Sequence, residues 1–139
     1  MTFKISDDAV SFDLLVAKKL QSKMNQCKDR NIEFGLTFTC MKNLMKAKRC
    51  FYTGIPLTYP KSNPIKGDKT LPSDITIDRV DSSKGYVKGN VVACCNGANN
   101  LKSLMEGDGL GTFGYVMGRR VFDKAIKHIE KAASKNVQS

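Results

Sequence analysis

Residues 75–102, ITIDRVDSSKGYVKGNVVACCNGANNLK, constrain the fold more tightly than any other stretch of this 139-residue chain. Ile75, Thr76 and Ile77 alternate as a short strand that ends in Asp78-Arg79, and the Ser- and Gly-containing segment after it reads as a turn. Asn90 opens an apolar stretch that reads as a helix over 91–105 and carries Asn99. A carboxylate at a strand end, facing an amide oxygen from the following helix, is a cradle for one hard divalent cation. Ions of the magnesium type take oxygen ligands and keep several waters, so two protein oxygens can be enough.

The remaining pattern is mostly helical. Ser6, Asp7 and Asp8 have the short polar and acidic side chains that suit a helix start. Val10, Leu14, Ala17 and Met24 then recur at helical spacing to an end near Asn31. An extended piece over 32–38 leads to a second helix over 40–47, capped by Thr37 or Thr39, with Met41, Leu44 and Met45 buried. Residues 49–54 read as a strand and tight turn in which Gly54 is free to take positive φ. Residues 56–72 form a polar loop, and Gly107, Gly109 and Gly111 stop the preceding helix. A last amphipathic helix is expected over 115–133, burying Val116, Val121, Phe122, Ala125 and Ile129, before a polar tail that frays from Ser134. The fold class is α+β: a helical region over 1–48, a hairpin-and-helix core over 49–106, and a C-terminal helix over 107–139 packing on it.

Charge narrows the partner. The chain has 23 Lys and Arg against 13 Asp and Glu, a net charge of +10. Each cation near a phosphate releases counterions, so a polyanionic partner is favoured. The apolar runs are too short to span a bilayer. The opening MTFKISDDAV has neither an apolar core nor a cleavage site, which predicts a cytoplasmic chain. Five cysteines, two of them adjacent, argue against a disulfide framework and fit a reducing compartment.

A cation held on a basic protein suits phosphodiester hydrolysis, which needs the phosphate and the departing oxyanion neutralised and a water aligned. Asp78 can ligate the ion and Asn99 can supply a second oxygen. Arg79 can grip a phosphate with its planar fork. Asn90 can bridge strand and helix by hydrogen bonds and hold the loop in shape.

The string IDRVDSSKGYVKGNVV followed by ANNLK resembles the HNH, or ββα-metal, endonucleases, in a variant common among bacteriophages. The clear match covers about residues 50–102, and the outer helices match only loosely. The resemblance implies a Mg²⁺- or Mn²⁺-dependent DNA endonuclease, a phage-encoded nicking or homing enzyme, whose hairpin and helix enter the minor groove. It implies metal ligands at Asp78 and Asn99, with Asn96 in reserve, and a bracing role for Asn90. Lys84, Lys88 and Lys102 join Arg79 as expected contacts to DNA. Monomer and homodimer both fit.

Two departures bear on activity. Arg79 stands where most of the family has the histidine that deprotonates water, and arginine keeps its proton. Either water ionised at the cation or another carboxylate, Asp81, must serve, or turnover is slow. Asp81 equally suits the first position of its turn. Secondly, Cys50 is followed by Thr53 and Cys95 by Ala98, so half the ligands of the family's zinc knuckle are missing and structural zinc is not expected. The alternatives are a DNA-binding protein that keeps the fold without turnover, and a nuclease that resolves branched DNA. His128, the one histidine, is read as a surface or packing residue of the last helix.

Overall fold

The computed structural model describes residues 3–4, 7–59, 70–106 and 114–138. Among them are four helices and one two-stranded antiparallel sheet, an α+β architecture. Two compact units divide the chain, Met1–Asn99 and Asn100–Ser139.

In the first unit, α1 (Asp8–Arg30) starts where Asp7, in an extended conformation, accepts the Ala9 N–H on its carboxylate at 2.8 Å. It stops at Asn31, whose left-handed backbone (φ 54°) lets the Ile32 N–H reach the Cys27 carbonyl at 2.8 Å. Asparagine is among the few side chains that tolerate this conformation. The next helix, α2 (Phe38–Met45), begins earlier than the spacing implied because Thr37 caps it, its Oγ1 accepting the Cys40 N–H at 3.1 Å. Met41 and Met45 point inward and join Val16, Cys27, Ile75 and Ile77 in the main core.

The sheet pairs β1 (Ile75–Arg79) with β2 (Val91–Cys95), placing Ile77 opposite Ala93 and Asp78 opposite Val92. Here the structure corrects the sequence reading, which ran one helix through 91–105. A short apolar run fits either state by periodicity. β-branched Val91 and Val92 favour the strand, and the ladder with β1 decides the matter. The helix α3 (Asn96–Glu106) follows β2 without a linker. Its first amides find partners outside the helix: Asn96 N–H donates to the Asp74 carbonyl and Gly97 N–H to the Pro72 carbonyl, both at 2.8 Å. Ala98 N–H points at Cys95 Sγ, 3.4 Å away. Donors that a helix start otherwise leaves open are thereby satisfied, two by backbone carbonyls and one by the Cys95 sulfur.

A second correction concerns 49–54. The expected strand is reduced to one bridge, Arg49 to Pro56, while Gly54 N–H closes a turn onto the Cys50 carbonyl at 2.9 Å with Gly54 at φ 75°. The polar loop expected over 56–72 and the glycine stop at 107–111 fall largely outside the described residues. In the second unit, α4 (Gly114–Gln138) continues through the tail that was expected to fray, and Val116, Val121, Phe122, Ala125 and Ile129, expected on its buried face, are exposed.

Residues 80–90, between the strands, dock on the segment that follows α1. Tyr86 N–H donates to the Glu33 carbonyl and Gly35 N–H to the Tyr86 carbonyl, each at 2.9 Å. This approach is so close that a Cβ on Gly85 would overlap the Glu33 carbonyl oxygen, whereas one on Gly35 would meet only Val87 Cγ1 at 3.4 Å. Gly85→Ala should therefore lower stability by about 1–3 kcal/mol, read from the urea midpoint. Gly35→Ala should move it far less, and equal effects would contradict the docking.

Candidate active site

Strand alternation sets the first element of the site. Ile77 and Ala93 face the main core, so their neighbours Asp78 and Val92 turn to the opposite face of the sheet. Asp78 is 8% exposed. A buried carboxylate needs compensating hydrogen bonds, and Tyr52 supplies one, its hydroxyl donating to Asp78 Oδ2 at 2.6 Å. That bond ties the turn over 50–54 to β1 and fixes the carboxylate's orientation.

The loop over 80–90 is built around Asn90, itself buried. Its Oδ1 accepts the Asp81 N–H at 3.0 Å, while its Nδ2 donates to the carbonyls of Asp81 at 3.0 Å and Gly85 at 2.9 Å. Only a carboxamide can accept and donate in this way, since a carboxylate has no N–H and a hydroxyl cannot reach three groups. Asp81 Oδ1 accepts both the backbone N–H and the hydroxyl of Ser83, at 2.9 and 2.6 Å. Asp81 thereby occupies the first position of its turn. Arg79 Nη1 donates to the carbonyls of Ser82 and Lys84 at 2.9 and 3.0 Å.

Tyr86 carries this loop onto the core. Two cations approach its ring, Arg79 Cζ and Lys23 Nζ each lying 5.2 Å from the centroid. Lys23, on α1, is 9% exposed, and burial pushes its ammonium below the usual lysine range. Burial likewise raises the Tyr86 phenol. The sequence reading did not single out Lys23, because a lysine on an amphipathic helix ordinarily faces water.

Asn99 lies in the first turn of α3 and is partly buried. The residue before it, Ala98, packs against the cluster of Cys50, Cys94 and Cys95. Asn96, the reserve ligand, is the first residue of α3, its N–H engaged with Asp74. Lys84 and Lys88 are exposed on the loop, Lys84 with its Nζ 4.0 Å from Asp81 Oδ2. Lys102 belongs to the second unit, where it forms an ion pair with Glu106. Beyond this site, an open cavity of about 810 Å³ lies between α2 and β2, bordered by Cys40, Leu44, Arg49, Phe51, Lys88 and Val92. Asp78, Asn90 and Asn99 do not line it.

The sulfurs of Cys50 and Cys95 adopt matching geometry. Cys50 Sγ accepts the Thr53 N–H and Cys95 Sγ the Ala98 N–H, each at 3.4 Å, and Thr53 Oγ1 stands 4.0 Å from Cys95 Sγ. Burial pushes the Cys50 thiol up. Hydrogen bonds from the Thr53 side chain and from the backbone of Cys95, Thr53 and Tyr52 outweigh that and bring it down to about 7.

Chemically, Asp78 carries a carboxylate and Asn99 a carboxamide oxygen, each a hard donor of the kind that Mg²⁺ and Mn²⁺ take. Among the described residues no three His, Cys, Asp or Glu side chains gather to hold a metal. No helix among them is long and apolar enough to cross a membrane.

Comparison with known proteins adds one similarity. Over 88 residues the chain is 32% identical to an "Uncharacterized 29.0 kDa protein in dda-modA intergenic region" of Enterobacteria phage T4. That alignment takes in 63% of this chain and 32% of the phage protein, so the match spans about a third of its relative's length. No family model matches, and no solved structure matches.

Asn90→Ala should cost about 2–4 kcal/mol, the sum expected for three hydrogen bonds whose backbone partners are left behind. Thermal unfolding should show it, and Asn90→Asp should restore little because it cannot donate. A midpoint within one degree of wild type for both variants would refute the bracing role.

Proposed function

We propose that this protein is a divalent-cation-dependent DNA endonuclease of the HNH, or ββα-metal, type. One observation carries the reading: a strand, a loop braced from within by Asn90, a second strand and a helix follow one another directly, with a buried carboxylate on the first strand and Asn99 in the helix's first turn. The net charge of +10 supports a nucleic-acid partner. Similarity to a phage T4 protein supports a bacteriophage setting, in which a nicking or homing enzyme is at home.

Within this reading Asp78 and Asn99 are the residues that would hold Mg²⁺ or Mn²⁺. When bound, such an ion supplies neutralisation of the phosphate and of the leaving oxygen. Tyr52 keeps the Asp78 carboxylate in one orientation through its 2.6 Å hydrogen bond. Arg79 acts through the loop, fixing the carbonyls of Ser82 and Lys84 so that Lys84 and Lys88 are presented to the DNA backbone from a rigid frame. Asn90 preserves that frame. Preorganised charge of this kind needs no rearrangement as the reaction proceeds.

A second reading is a DNA-binding protein that keeps the scaffold without turnover. It is favoured by Arg79, whose Nη1 is spent on loop carbonyls at the family's histidine position, and by Asp81, whose Oδ1 is engaged by Ser83.

Incubating supercoiled plasmid with the protein and Mg²⁺, Mn²⁺ or EDTA separates the two. The nuclease reading expects metal-dependent nicking that Asp78→Ala reduces by about 100-fold or more while DNA binding persists. Cleavage by Asp78→Ala at the wild-type rate would remove Asp78 from the chemistry. Binding without nicking under every metal condition would favour the second reading.

A further inference from the structure

In the second unit, α4 concentrates charge that the candidate active site does not use. It carries six Lys and Arg and two Asp and Glu, and its acids, Asp123 and Glu130, lie to one side. Arg120, Lys124, Lys127, Lys131 and Lys135 follow one another at intervals of three or four residues, so all five fall on one narrow arc of the helix. Phe122, Ile126, Ile129 and Ala133 occupy the opposite arc. At about 1.5 Å per residue the five cations make a ridge roughly 22 Å long. All five are exposed, and among the described residues none of them forms an ion pair.

Such spacing works against the helix itself, because like charges three or four residues apart repel by about 0.2–0.5 kcal/mol per pair. A regular line of negative charge laid beside the ridge turns that local cost into attraction. Duplex DNA offers one, with about one charge per 1.7 Å of axis. We propose that this face of α4 is a phosphate-tracking surface that runs along duplex DNA and supplies salt-sensitive affinity to the protein. The choice of DNA among polyanions rests on the nuclease reading.

The test is equilibrium binding of the full chain to a 30-base-pair duplex, a length chosen at about three helical turns, in EDTA across a range of salt. Replacing all five cations by Gln should make the plot of log K against log salt shallower by about 4, since each neutralised phosphate contributes about 0.9. Affinity at moderate salt should fall at least about tenfold. Arginine at the four lysine positions should keep the wild-type slope. A change in slope below about 1, with helix content by circular dichroism unaltered, would overturn the proposal. Capture of the wild-type chain by phosphatidylserine vesicles, without binding to the duplex, would overturn it too. Plasmid nicking measured in parallel separates the two ideas. Nicking with an unchanged slope defeats the ridge alone, and a lost slope without nicking in wild type defeats the nuclease reading alone.

Discussion

The carboxamide of Asn90 is the contact on which the rest of the site depends. Three hydrogen bonds from one buried side chain close the segment between the strands into a fixed shape, joining Asp81 at its start to Gly85 at its middle. With that loop fixed, Val80 N–H can meet the Asn90 carbonyl at 2.8 Å, and the ladder from Arg79–Val91 to Ile75–Cys95 continues in register. A slip by one residue would turn Asp78 into the core and Ile77 out of it. The brace therefore governs which face the carboxylate presents.

Other contacts hold the same unit from outside. Tyr86 and Gly85 press the loop against Glu33 and Gly35, and Arg79 and Lys23 each place a cation over the tyrosine ring. Asp74, 2% exposed, accepts the Leu71 N–H and the Thr58 hydroxyl on its carboxylate and offers its carbonyl to the first amide of α3. One buried acid thus shapes the entry to β1 and the start of the helix that carries Asn99. The sulfurs of Cys50 and Cys95 each stabilise a turn through a backbone N–H, one of them leading to Tyr52 and the other into α3. Buried polar groups are paired throughout this region, as a rigid site requires.

What was legible in the sequence was local chemistry. Asp7 and Thr37 are caps because short oxygen-bearing side chains satisfy free amides, and Gly54 adopts the positive φ its turn needs. Asn90 was legible as a residue that holds the loop in shape, but not as one that precedes a strand: it was read at a helix entry, bridging strand and helix, whereas its three bonds close the loop onto itself ahead of β2. β2 was not legible, because five apolar residues running into a helix keep no distinguishing period. The bond from Tyr52 to Asp78 joins residues 26 apart and leaves no local trace. Lys23 reads as a solvated helix residue until Tyr86, brought in by the docked loop, covers it. The bonds from Arg79 to the carbonyls of Ser82 and Lys84 were not legible either, because nothing in a linear string reports which turn carbonyls lie within reach.

The proposed chemistry requires one divalent ion held jointly by Asp78 and Asn99. Anomalous scattering from crystals grown with Mn²⁺ tests it most directly. The account predicts a single strong peak bonded to a carboxylate oxygen of Asp78 and the carboxamide oxygen of Asn99, at about the 2.0–2.2 Å typical of small hard cations on oxygen, and its loss in Asp78→Asn. A fully occupied peak elsewhere, with those two oxygens turned apart, would contradict it.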